Sequence, residues 1–62
     1  MYIGKVFVGV DEELLVHTDA QTIDICDDFG QPLISLDIRE TERLIEVLNA
    51  AKYNAIQKRR EQ

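Results

Sequence analysis

Cysteine, histidine and proline each occur once in this chain, and each scarcity closes off a class of structure or chemistry. With Cys26 alone, neither an intrachain disulfide nor a cysteine-based zinc site can form, so small size is not offset by the staples of secreted miniproteins. A reducing, cytoplasmic compartment is therefore expected. With His17 alone, and no second histidine near it, the imidazole reads as a sheet-face residue. A Cys26–His17 dyad across neighbouring strands lacks a third group to orient it, which argues against nucleophilic catalysis.

Long apolar runs are missing too. No stretch approaches the roughly 20 residues that cross a bilayer, and the start of the chain is strand-like, without a basic region leading into an apolar one. Neither membrane insertion nor a signal peptide is expected. Gly4 and Gly9 lie inside a strand-like segment and precede no helix, so they form no phosphate cradle. Asp24, Asp27 and Asp28 match no calcium-loop spacing. Asp11, Glu12 and Glu13 have no apolar pocket to raise a pKa for acid–base work. The expectation is a protein that is not an enzyme and takes no cofactor or metal.

What is present is enough for one domain. Apolar residues make up 45% of the 62 and charged residues 31%, a balance that supports a core. At this length folding buries only about 60% of the unfolded chain's surface, so the fold must be simple. Ile3, Val6, Phe7, Val8 and Val10 make Tyr2 to Val10 a strand. Asp11-Glu12-Glu13 is a polar turn, and Leu14 to Thr18 gives a second strand. After Asp19-Ala20-Gln21, Thr22 to Cys26 alternates Ile23 and Ile25 against Asp24 and Cys26, the period of a half-buried strand. Asp27 to Pro32 is the strongest turn signal, since Asp initiates turns and Gly30 takes positive φ freely. Leu33 to Leu36 or Ile38 is the fourth strand. Connections this short make successive strands antiparallel neighbours.

From Asp37 the period becomes helical. Asp37 and Glu40 fit an N-cap and capping box, and Leu44, Ile45, Leu48, Ala51, Lys52, Ala55 and Ile56 trace a stripe that Val47 widens. Acids toward the helix start and Lys58, Arg59 and Arg60 toward its end match the macrodipole. The expected fold is α+β: a four-stranded antiparallel β-meander followed by one long C-terminal α-helix packed on one face of the sheet. Residues 1–57 form a single ββββα domain, and 58–62 form a frayed basic tail.

The face assigned to the helix carries Val6, Val8, Leu14, Val16, Ile23, Ile25, Ile34 and Leu36. The opposite face keeps Ile3, Phe7, Leu15, Cys26 and Leu33 among Lys5, His17, Asp24 and Ser35, more apolar than solvent requires. A helix of about twenty residues spans roughly 30 Å against about 20 Å for a strand, so its end overhangs with Tyr53 and Ile56. Ile3, Phe7, Leu15, Leu33, Tyr53 and Ile56 are thus the expected surface of a homodimer or tight hetero-complex.

Charge is unevenly spread. Met1 to Ala50 holds eleven acids against Lys5, Arg39 and Arg43, a balance of −8, while the last twelve residues hold four bases against Glu61, +3, giving the overall −5. An acidic body repels phosphate and attracts basic protein surfaces. Asp11, Glu12, Glu13, Asp24, Asp27, Asp28 and Phe29 are the expected contacts to such a partner. Size and sign together fit a small inhibitor, of the kind a phage or mobile element encodes, that occupies the basic surface of a nucleic-acid-handling protein.

The meander-then-helix order, with Ile34-Ser35-Leu36-Asp37 leading into a helix carrying Leu44 and Leu48, resembles the single-stranded-DNA-binding transcriptional coactivator family over less than a third of the chain. That resemblance implies a dimer held by its helices, with strands that contact single-stranded nucleic acid. The strands here depart from it, carrying Lys5 among many acids where a basic groove with aromatic platforms is needed. Tyr2, Phe7 and Phe29 supply rings without the charge, which leaves nucleic-acid binding as the alternative reading.

Overall fold

The structure is a computed structural model that describes residues 1–60. Strands β1 (Tyr2–Val8), β2 (Glu12–Thr18), β3 (Ile23–Cys26) and β4 (Pro32–Leu36) precede a single helix, α1 (Ile38–Arg60). The strands pair antiparallel in the order β1-β2-β3-β4, which is the expected meander. Of the expected tail, Lys58, Arg59 and Arg60 form the last helical turn, and Glu61 and Gln62 lie outside the described residues.

Each turn is closed by a side chain or a glycine suited to it. Gly9 and Gly30 take φ of 66° and 81°, left-handed values that cost a residue with a Cβ. Between β2 and β3 the Asp19 carboxylate accepts from the backbone N–H groups of Gln21 and Thr22, both at 2.8 Å. Between β3 and β4 the Asp27 carboxylate accepts from the N–H groups of Phe29 at 3.0 Å and Gln31 at 2.8 Å. Short polar side chains of this kind substitute for backbone partners that a turn removes.

Register fixes the two faces, because directly opposed residues point the same way. Val6 opposes Leu14, Gly4 opposes Val16, Val16 opposes Ile25 and Ile25 opposes Ile34, while Ile23 opposes Leu36. The eight residues expected to share a face do share it. Two of the expected opposite-face residues are different: the ladder is irregular between Tyr2 and Gly4 and again where Cys26 meets Pro32, so Ile3 and Leu33 are the extra residues of bulges.

The helix covers far less than expected. It meets the sheet chiefly through the edge strand β4, and none of its residues is buried. Cys26, 5% exposed, is the single buried apolar residue among those described, whereas Val6 is 57% exposed. The link explains this. Asp37 alone joins Leu36 to Ile38, and it is held in a reciprocal capping box: its carboxylate accepts from the Glu40 N–H at 2.7 Å, and its own N–H donates to the Glu40 carboxylate at 3.0 Å. A one-residue connection capped onto the helix leaves little slack to carry it back over β1 to β3.

Candidate functional site

The helix-side face of the sheet is an apolar surface with little over it. Leu14, Val16, Ile23 and Ile25 are half-buried by their strand neighbours, while Val6, Val8 and Ile34 are exposed. Where α1 does approach, a groove of about 460 Å³ runs between it and β4, lined by Ile34 and Leu36 from the strand and by Arg39, Glu40, Arg43, Leu44 and Val47 from the helix.

Helical spacing shows which side of α1 faces that groove. Arg39, Arg43 and Val47 recur every four residues and so share one face. Ile38, Ile45, Leu48 and Ile56 follow a second line of helical spacing, and all four are exposed, Leu48 at 58%. The expected stripe therefore turns mostly away from its own sheet, and Val47, expected only to widen it, is a groove contact. Tyr53 is exposed as well, and Ala50, Ala51 and Ala55 leave α1 slim on its C-terminal half.

The opposite face of the sheet is more polar and better satisfied. The Lys5 ammonium lies 3.6 Å from the Glu13 carboxylate and 5.1 Å from the centre of the Phe7 ring. Tyr2 meets His17 edge-on, with ring centres 5.5 Å apart. The Ser35 hydroxyl donates to Asp24 at 2.5 Å, and Leu15 opposes Cys26 at one end of the β2–β3 ladder. His17 and Cys26 sit diagonally in the β2–β3 ladder, and the imidazole is engaged with Tyr2. Of the apolar residues expected to make an interface here, Ile3, Leu33 and Phe7 stand exposed and Leu15 is half-buried.

Topology gathers most of the expected acidic contacts. In a meander the β1–β2 and β3–β4 connections lie at the same end of the sheet, which brings Asp11, Glu12 and Glu13 to the end that carries Asp27, Asp28 and Phe29. Phe29 is 91% exposed there. Asp24 is not part of that end. The Glu13 carboxylate is shared with Lys5 and that of Asp27 with its own loop, which leaves Asp11, Glu12 and Asp28 as the outward charges.

Among the described residues no group of three or more His, Cys, Asp and Glu is placed to hold a metal ion, and no helix is long and apolar enough to cross a membrane. Sequence reasoning missed the exposed Ile38–Ile45–Leu48 line as a surface in its own right, although a short Leu36-Asp37-Ile38 junction was a readable signal for it. No protein-family model, curated protein or solved structure matches the chain.

Proposed function

We propose that this protein acts by binding another protein and performs no chemistry of its own. The observation that carries the reading is the apolar surface left open on one chain: the helix-side face of the sheet and the outward line of α1. Such a surface in water is unfavourable by roughly 25 cal/mol for each Å² of apolar area, a cost removed when another molecule covers it.

The sign of the surrounding charge selects the partner. Asp11, Glu12 and Asp28, with the exposed Phe29 at the same end of the sheet, offer a negatively charged rim and one aromatic anchor, a combination suited to a basic protein surface. Basic surfaces are characteristic of proteins that handle nucleic acid, and a small acidic module seated there would block access. On this reading the protein is an inhibitor that works by occupancy. Affinity capture tests it: the immobilised chain should retain a basic protein that elutes with salt, and a variant carrying Asp11→Asn, Glu12→Gln and Asp28→Asn should lose it.

A second reading, binding of single-stranded nucleic acid, draws on the rings of Tyr2, Phe7 and His17 around Lys5. Lys5 is already paired with Glu13, and Asp24 opposes His17 on the same face, so the face lacks the positive groove that tracks a phosphate backbone. Gel shifts with single-stranded DNA across a salt series separate the two. Tight, steeply salt-dependent DNA binding with no protein retained would reverse the ranking.

A further inference from the structure

We infer that the occupant of the open apolar face is a second copy of this chain, in a two-fold dimer where the outward line of each α1 lies on the sheet face of its partner. The inference rests on the reading that protein covers the apolar surface; it assigns that surface to a second copy and leaves the acidic end with Phe29 to a basic partner.

Area is the first argument. A compact monomer of 7.1 kDa is expected to expose about 4,100 Å², yet this protomer exposes 5479 Å². Its radius of gyration is 14.0 Å, where a compact chain of this length has about 11 Å. The excess of about 1,400 Å² per protomer gives about 2,800 Å² when two copies bury it, inside the range of obligate homodimers.

Complementarity is the second. The sheet needs an apolar helix across Val6, Leu14, Val16 and Ile25, and the helix needs an apolar surface for Ile45, Leu48 and Ile56. One chain carries both requirements and, with a single residue between β4 and α1, does not join them in cis. A two-fold axis lets each copy supply what the other lacks, and closes the assembly at two.

Charge chooses among the ways two copies can meet. From Ala50 to Arg60 every charged residue of α1 is basic (Lys52, Lys58, Arg59 and Arg60), whereas the helix-side face of the strands carries Glu12 and no base, with Asp11, Asp27 and Asp28 in the turns at the same end. A helix laid across the partner's sheet brings opposite signs together, while sheet stacked on sheet brings like signs together.

The experiment is light scattering and small-angle X-ray scattering on the whole chain, with melting followed over a range of protein concentration. A mass of twice 7.1 kDa is expected, with a Tm that rises with concentration as dissociation-linked unfolding requires. Leu48→Asp, on the outward helix line, should weaken the dimer at least about tenfold, while Phe7→Asp, on the other sheet face, should leave it intact. If Leu48→Asp does not fold, the wild-type mass and the concentration dependence decide. A mass other than twice the chain, a concentration-independent Tm, or a dimer broken by Phe7→Asp and not by Leu48→Asp would each overturn the inference. A folded monomer that stays extended near 14.0 Å removes the second copy and leaves the protein-binding reading standing. A monomer contracted to about 11 Å removes both, because the helix would then have closed its own sheet.

Discussion

Asp19 directs its carboxylate to its own backbone, and that local use of charge has consequences for pH. The Gln21 N–H, then the Thr22 N–H and hydroxyl, hold the Asp19 carboxyl below the usual carboxylate range, because they favour the ionised acceptor. A folded value below the unfolded one means that the stabilisation is complete above the ordinary aspartate pKa of about 3.9. It is lost as pH falls through the lower folded value. In an NMR titration Asp19 should titrate below an aspartate in an unstructured peptide, and Asp19→Asn, which keeps the acceptor oxygen, should flatten the acid limb of the stability curve. An unchanged acid limb would show that this turn contributes nothing to it. Gly30 tests the neighbouring loop in another way. A Cβ added there meets nothing within 4 Å, so Gly30→Ala should cost only the left-handed backbone penalty, about 1 kcal/mol by urea denaturation.

At the scale of elements, the junction between β4 and α1 decides more than either element does. The capping box on Asp37 satisfies helix N–H groups and also fixes where the helix leaves the sheet. Asp37→Ala should destabilise the fold by about 1 kcal/mol and reduce helical circular dichroism. If Glu40→Gln, which retains an acceptor for the Asp37 N–H, behaves like wild type while Asp37→Ala does not, the cap itself is responsible. Charge along α1 follows the dipole, with Glu40 in the first turn and Lys58, Arg59 and Arg60 in the last. The turn of the Ile45–Leu48–Ile56 line away from its own sheet follows from that fixed exit and not from helix propensity.

For the whole molecule, shape and size are the telling quantities. A body of 42 × 30 × 15 Å built on one thin sheet has a layer on one side only along its β4 edge, and a domain is stable when layers pack on each other. The one-residue junction makes this testable. Inserting about five Gly and Ser residues between Leu36 and Ile38, a length ordinary for connections that reverse direction, should free α1 to fold back over β1 to β3 in its own chain. The expected result is a monomer with a smaller radius of gyration and a concentration-independent Tm. A dimer that survives the insertion unchanged would show that the junction does not set the assembly.

The elements and the faces of the sheet follow from local signals along the chain. Period-two alternation through Thr22 to Cys26, the acids and glycines at the turns, and the Asp37–Glu40 pair are local signals, and local geometry obeyed them. Legible too was the grouping of Val6, Leu14, Val16, Ile25 and Ile34 on one side, since alternation and short antiparallel connections leave one arrangement. Where the helix lies relative to that face was a tertiary decision. It depends on the angle at which a one-residue junction releases the chain, and a hydrophobic stripe reports only that a surface will be covered, not which surface will cover it. The bulges at Ile3 and Leu33 escaped for a similar reason, because a register slip is set by the partner strand and leaves no trace in the residues of one strand.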